Sequence, residues 1–168
     1  MVLGLEALNF NTHLSLDGEK FSDVIIPNFE KYLVRDGDFF VSRGNTPDLV
    51  GLSSIAKIYE EQEYDIIYPD TMIRINFSRY IDIQYMSYVF NSFIGRKYFK
   101  YSSKGKNISM VKISRKELDD FLVPVPSLEQ QKEVVNLILE KIDGQIEIKK
   151  KIGKINKSPK EYIYPGGK

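Results

Sequence analysis

The feature that most constrains this chain is a proline-bounded helix start at residues 124–130, which precedes a long run with helical spacing. Pro124 and Pro126 hold the residues before them in an extended conformation, so a helix cannot begin earlier. The segment Ser127-Leu128-Glu129-Gln130 then fits a capping box, in which serine and glutamine satisfy each other's backbone N–H groups. The sequence therefore predicts a long helix from about residue 127 to residue 157.

Apolar residues in this predicted helix recur every three or four positions and form one narrow stripe, whose spacing slips near Gly144. A helix that lies on a globular core usually has a wider apolar face. The stripe thus favours pairing with a second helix as a coiled coil, and packing on its own lobe is the alternative. The residues assigned to dimerisation or docking are Leu128, Val135, Ile138, Ile142, Ile148, Ile152 and Ile155.

Residues 1 to about 80 have the turn signals and composition of short strands. Asp17-Gly18 predicts a hairpin, and Pro69-Asp70 predicts a turn between runs rich in Ile and Tyr. From Asp82, a good N-cap, the spacing becomes helical. The apolar residues of this second helical pattern are Met86, Val89, Phe90, Phe93 and Ile94.

These patterns together predict an α+β fold. We expect a curved, antiparallel-rich sheet lobe with short helices, followed by the long protruding C-terminal helix. The expected domains are a sheet lobe at residues 1–125, a helix for pairing or dimerisation at 126–158 and a tail at 159–168.

The composition excludes several classes of protein. The chain has no cysteine and a single histidine, His13, so thiolate metal sites and most zinc sites are excluded. It has no glycine-rich phosphate loop and no nucleotide-cofactor turn, so we expect neither an enzyme nor a bound cofactor or metal. It also has no apolar run of membrane-spanning length and no basic N-terminal signal, which makes a cytoplasmic location the expectation.

The basic residues are concentrated in one stretch, although the formal net charge is only +1. Residues 95–116 contain eight lysines and arginines and no acid, with Tyr98, Phe99 and Tyr101 among them. Basic side chains neutralise phosphates, and short polar side chains fix the register on a nucleic-acid backbone. The stretch therefore indicates DNA binding. The alternative is that Tyr98 and Phe99 belong to the core and the lysines only solubilise the end of the helix.

A second candidate DNA contact is the segment VSRGNTPDLVG at residues 41–51. Arginine pairs with guanine, and asparagine with adenine, through two hydrogen bonds each, and Arg43 and Asn45 supply these side chains. The alternatives are an ion pair for Arg43 and a left-handed turn position for Asn45. The candidate DNA-contacting residues are Arg43, Asn45, Thr46, Arg96, Lys97, Lys100, Tyr101, Ser103, Lys104, Lys106 and Asn107.

Three segments give the chain a recognisable order. They are GDFFVSRGNTPDLVG from residue 37, PDTMIRINF from residue 69 and SSKGKNISMVKISRKELDDFLVPVPSLEQQKEVV from residue 102. In content, order and spacing, residues 36–150 resemble the target-recognition domain and conserved helix of a type I restriction–modification DNA specificity subunit.

The resemblance implies a subunit without catalytic activity. In that family two recognition domains each read half of a bipartite DNA site, and two helices packed antiparallel hold them apart. The subunit docks methyltransferase subunits, which use S-adenosylmethionine, and in the full complex restriction subunits. For this chain, loops at residues 43–46 and 102–107 would face double-stranded DNA, and the helix from Leu128 to Ile155 would be the spacer and docking surface.

A full subunit of that family has two such units, whereas this chain has one lobe and one helix, and its segment before Gly37 is short. We therefore expect a half-subunit that forms a homodimer and reads an interrupted palindrome. Two alternatives remain open. One is the recognition domain of a fused, type IIG-like methyltransferase–nuclease, and the other is an interaction remnant that binds methyltransferase or specificity subunits without reading DNA.

Overall fold

The structure is a computed structural model that describes residues 1–16, 27–58, 64–107 and 109–157, with the backbone alone for 106–107 and 153–157. The expected Asp17-Gly18 hairpin and the tail at 159–168 lie outside these residues. Within them, no helix has both the length and the apolar content to cross a membrane. The α+β prediction is confirmed, since small antiparallel sheets and short helices precede one long C-terminal helix.

The first sheet lies at the centre of the lobe. Its middle strand, β1 (Phe39–Ser42), pairs antiparallel with β3 (Ser53–Ile55) on one side and β4 (Met72–Ile75) on the other. Every residue of β1 is buried, because side chains alternate between the two faces of a sheet and both faces are covered. Phe40 packs against N-terminal residues, whereas Phe39 and Val41 pack against the helices.

A second three-stranded sheet has the order β2 (Gly44–Asn45), β6 (Met110–Lys112) and β5 (Lys104–Asn107). The prediction of a loop at residues 102–107 is wrong for most of its length, because β5 and β6 form an antiparallel hairpin. Gly105 permits this pairing, since a Cβ at that position would lie only 2.8 Å from the Met110 carbonyl oxygen.

The structure also differs from the predicted loop at residues 43–46, because the chain passes there from β1 of the first sheet to β2 of the second. The Arg43 N–H donates to the Thr71 carbonyl at 2.8 Å, and the Arg43 carbonyl accepts from the Ile113 N–H at 2.9 Å. The backbone of Arg43 is therefore fixed by both sheets.

Asp82 caps helix α1 (Ile83–Asn91), as predicted, by accepting hydrogen bonds from the N–H groups of Gln84 and Tyr85. The helix does not continue through residue 94. Ser92 ends α1 and is also the N-cap of helix α2 (Phe93–Ser102), where its hydroxyl accepts from the Gly95 N–H at 3.2 Å.

The break at Ser92 overturns the prediction that Phe93 and Ile94 continue the apolar face of α1. Their side chains are 79% and 74% exposed, because α2 begins in a new direction after the break. Gly95 makes this arrangement possible, since a Cβ there would overlap the carbonyl oxygen of Phe90. The buried residues of α2 are Gly95 and Phe99.

The predicted capping box at Ser114 opens helix α3 (Arg115–Asp119), with the Ser114 N–H donating to the Glu117 carboxylate at 2.8 Å. A second box opens helix α4 (Leu128–Lys157), where Ser127 N–H donates to Gln130 Oε1 at 3.1 Å and Gln130 N–H donates to Ser127 Oγ at 3.3 Å. Both helix starts are where the sequence indicates them.

The start of α4 is fixed to the lobe by Gln131, which is fully buried. Its Nε2 donates to the carbonyls of Tyr80 and Pro126 at 3.0 and 2.9 Å, and its Oε1 accepts from the Asp82 N–H at 2.8 Å. Val135, one turn later, is buried as well. Val135 of the predicted pairing stripe therefore packs on its own lobe.

Beyond Val135 the helix is mostly exposed, and it continues without a break through Gly144. In an unbroken helix Ile142 and Ile148 point about a third of a turn apart, so the stripe does not resume on the same face after the predicted slip. Ile146, which the sequence reasoning omitted, continues the face of Ile142 and is 45% exposed. The side chain of Ile155 lies outside the described residues.

Candidate nucleic-acid interface

The second sheet brings the two predicted DNA-contacting segments together. Gly44 of β2 pairs with Lys112 of β6, and Lys112 in turn pairs with Lys104 of β5. Neighbouring strands are about 4.8 Å apart, so the two outer strands lie about 10 Å from each other. Segments distant in sequence, around Arg43 and around Lys104, are thereby brought together in one sheet.

Lys112 lies in the middle strand of this sheet, although it is not among the candidate DNA-contacting residues predicted from the sequence. Residues that lie opposite each other in an antiparallel pair share a face of the sheet, so Gly44, Lys112 and Lys104 are on one face. The Lys112 side chain is exposed and lies across Gly44, with its Cγ 3.5 Å from the position that a Cβ would occupy. A basic side chain therefore lies over Gly44 from the middle strand of the sheet.

Arg43 and Asn45 are held at the edge of the same sheet. The exposed Arg43 side chain donates from Nη1 to the Asp70 carbonyl at 3.3 Å, which uses one of the five donors of a guanidinium. The half-buried Asn45 donates to Ser42 Oγ at 3.3 Å and accepts from the N–H of the exposed Thr46 at 2.8 Å. Asn45 lies in strand β2 and does not have the left-handed backbone conformation that the alternative required.

Part of the basic stretch belongs to the core. Phe99 is fully buried, and Tyr98 stacks on Phe121 at 4.8 Å and donates its hydroxyl proton to the Glu117 carbonyl at 2.8 Å. For these two aromatic residues, the alternative of a core position is confirmed. Tyr101 is different, because it is 75% exposed.

Arg96 and Lys100 contact the turn that follows β2. Arg96 Nη2 donates to the carbonyls of Asp48 and Val50 at 3.0 and 2.6 Å, and Lys100 Nζ lies 2.6 Å from Asp48 Oδ1. Burial lowers the pKa of Arg96 to about 10, so this residue remains protonated at neutral pH. The hydrogen bond to Lys100 lowers the pKa of Asp48, and the same bond raises the pKa of Lys100.

The exposed face of α2 combines apolar and basic side chains. Lys97 lies over the ring of Phe93, with Nζ 5.7 Å from the ring centroid, and Tyr101 is on the same side of the helix. An open groove lies beside this face and is lined by Asp48, Phe93, Arg96, Lys97, Lys100 and Tyr101. Phe93 fits the helical spacing of the apolar residues of α1, and this spacing does not reveal the break at Ser92. Sequence periodicity therefore assigned Phe93 to the core.

Lys104 is exposed but has an acidic partner, since its Nζ lies 3.1 Å from Glu117 Oε1. Hydrogen bonds from Ser114, and then the contact with Lys104, lower the pKa of Glu117 to about 2. Ser103 donates from its hydroxyl to the Lys100 carbonyl at 3.0 Å and so caps the end of α2, directly before β5. The side chains of Lys106 and Asn107 lie outside the described residues.

Comparison with known proteins assigns this arrangement to a family. Residues 9–157, most of the chain, match the family model of the type I restriction modification DNA specificity domain. The chain therefore belongs to this family, whose domains are non-catalytic modules for sequence-specific DNA recognition. A search of curated proteins finds no match.

Proposed function

We propose that the chain reads DNA through the surface made by β2, β6, β5 and the exposed face of α2. The observation that carries the proposal is the pairing of β2 and β5 with the two sides of β6, which places Arg43 and Asn45 beside the basic segment. A two-stranded ribbon or a small sheet edge can enter the major groove, where base edges are distinguishable.

Within this surface we assign two kinds of contact. Arg43 and Asn45, with Thr46 beside them, would contact base edges, because they lie in or next to the edge strand β2. Contacts to phosphates, which add affinity without selecting a sequence, would come from the surrounding polar and basic side chains. The residues assigned to the phosphate contacts are Lys97, Tyr101, Ser103, Lys104, Lys106, Asn107 and Lys112.

The second part of the proposal concerns assembly. The lobe at residues 1–125 would read one half-site, and the helix at 126–158 would pair with the same helix of a second copy. The exposed apolar side chains of Ile142 and Ile146, at 41% and 45%, lie on one face of α4 and support pairing, because burial of apolar surface drives helix association. The homodimer would dock methyltransferase subunits, and in the full complex restriction subunits, without catalysis of its own.

The experiment compares base-contact and phosphate-contact variants on one preferred duplex and one unrelated duplex. Arg43→Ala is expected to reduce affinity for the preferred duplex by about 1–3 kcal/mol and to leave affinity for the unrelated duplex unchanged. Lys112→Ala is expected to weaken both duplexes equally and to reduce the slope of log affinity against log salt concentration by about 1.

Fluorescence anisotropy titrations at several salt concentrations measure both quantities. If Lys112→Ala changed sequence preference and Arg43→Ala did not, the assignment of the two kinds of contact would be wrong. If the wild-type chain bound both duplexes equally, the interaction-remnant alternative would replace the proposal.

A further inference from the structure

The turn at residues 46–51 connects the base-reading strand β2 to the core of the lobe, and its own hydrogen bonds define its shape. The N–H groups of Leu49 and Val50 donate to the Thr46 carbonyl at 3.0 and 2.9 Å. The Gly51 N–H donates to the Ser42 carbonyl at 2.8 Å, which closes the turn onto the end of β1. The position of Asn45 and Thr46 therefore depends on where this turn sits.

Helix α2 holds the turn from one side. Arg96 reaches two of its carbonyls, at Asp48 and Val50, with a single nitrogen, and Lys100 pairs with the carboxylate of the same Asp48. Val50 is fully buried, whereas the Lys100–Asp48 pair is exposed. An exposed ion pair contributes little, so the hydrogen bonds from Arg96 to the backbone are the stronger attachment.

The turn also approaches α2 too closely for most side chains. Gly51 has a φ of +72°, and a Cβ at this position would overlap the ring of Phe99. Because glycine tolerates this conformation and leaves room for the aromatic ring, the turn can lie directly on the helix. Arg96 and Gly51 thus attach the second half of this short segment, from Asp48 to Gly51, to α2.

We propose that Arg96 is a positioning residue that fixes the turn at 46–51 against α2 and thereby sets the geometry with which Arg43 and Asn45 read bases. This inference rests on the proposed function, and it gives Arg96, which the sequence placed among the candidate DNA-contacting residues, a role away from the DNA. A guanidinium directed at two backbone carbonyls is not directed at a phosphate. Recognition by paired hydrogen bonds tolerates only small displacements, so loosening the turn reduces sequence discrimination.

The first test measures the turn without DNA. Amide hydrogen exchange reports local opening, and the N–H groups of Leu49, Val50 and Gly51 are suitable reporters, because the first two are hydrogen-bonded within the turn and the third joins the turn to the end of β1. Arg96→Met in the full chain is expected to increase exchange at these amides by about 10-fold, while the amides of β1 keep the wild-type rate. Arg115→Met, which removes an exposed arginine of α3, is the matched control and is expected to change neither set.

The second test measures DNA binding by Arg96→Lys, which keeps the positive charge but not the guanidinium. A positioning role predicts that the ratio of preferred to unrelated duplex affinity falls by about 10-fold, with the affinity for unrelated duplex and the salt slope unchanged. A phosphate-contacting role predicts almost no change in the ratio, because the charge is retained. The matched comparison is Lys97→Met, which is expected to weaken both duplexes and to lower the salt slope.

The two tests separate failure of this inference from failure of the proposed function. Faster exchange confined to the turn, together with a reduced affinity ratio, supports the positioning role. Unchanged exchange at Leu49, Val50 and Gly51 in Arg96→Met overturns it whatever the DNA results. Loss of protection throughout the lobe also overturns it, because Arg96 would then support the whole fold. A wild-type chain without sequence preference overturns the proposed function, and the exchange experiment still decides whether Arg96 holds the turn.

Discussion

The proposed DNA-reading surface of the lobe and the distal part of α4 differ in how their side chains are supported. Around Arg43 and Asn45, backbone and side-chain hydrogen bonds from both sheets and from α2 fix the segment in place. Beyond Val135, α4 has exposed apolar side chains, of which Leu137 and Ile148 are both 58% exposed. One surface is organised by hydrogen bonds within its own chain, whereas the other has apolar side chains that the chain leaves exposed.

The largest expected effect comes from replacing Gln131, which attaches the start of α4 to the lobe between these two regions. Gln131→Leu would leave the Asp82 N–H and the carbonyls of Tyr80 and Pro126 without their buried partner. A buried polar group without a partner costs about 1–3 kcal/mol, so we expect a loss of about 3 kcal/mol in the free energy of unfolding. Urea denaturation followed by circular dichroism measures the change.

The control for Gln131→Leu is Lys132→Leu, at the neighbouring exposed position of the same helix. It is expected to change the free energy of unfolding by no more than about 0.5 kcal/mol. Equal effects of the two substitutions would show that α4 is not anchored to the lobe through Gln131.

The next effect concerns the distal helix. Replacing both Ile142 and Ile146 with serine removes apolar area from the face that we expect to pair, and each buried isoleucine is worth about 1.5–3 kcal/mol. We expect the dimer dissociation constant to rise by about 100-fold or more, measured by sedimentation equilibrium, while the unfolding of the lobe stays unchanged. Glu140→Ser, on the opposite side of the helix, is expected to leave dimerisation unaltered. A wild-type chain that sediments as a monomer, or a serine variant that remains dimeric, would exclude this face from pairing.

The smallest expected effect concerns Glu117, whose carboxylate pairs with Lys104 of the proposed reading surface. It is measured as the pH dependence of the free energy of unfolding. The pKa of Glu117 is about 2 in the folded chain, below the value of about 4.3 for an unfolded glutamate. Its stabilising contribution is therefore fully present above about pH 4.3 and is lost as the pH falls toward 2. Glu117→Gln is expected to make the free energy of unfolding less dependent on pH in this interval. Asp119→Asn, an exposed position on the same helix, is expected to retain the wild-type slope.

The sequence was most informative where structure depends on neighbouring residues. The caps at Asp82, Ser114 and Ser127 are local devices, and each begins a helix where it was predicted. The α+β class followed from the change of apolar period after residue 80. The family resemblance, which depends on ordered motifs, agrees with the match over residues 9–157.

Contacts between distant segments were not predictable from local patterns. Gln131 has the sequence character of a surface residue, and only the position of residues 80–82 makes it a buried anchor. The two roles of Ser92 were hidden because Phe93 and Ile94 fit the apolar period of α1. Arg96 was grouped with the other basic residues, since its two carbonyl partners lie more than forty positions earlier in the chain.

The central claim, that two copies of this lobe read DNA across a fixed spacing, is tested most directly by selection from a randomised duplex library at near-physiological salt. Sequencing of the bound duplexes is expected to give two copies of one short motif in inverted orientation, separated by a constant gap. Enrichment of a single isolated motif would contradict the dimer. No enrichment, with retention that depends only on salt concentration, would contradict sequence-specific reading by this chain.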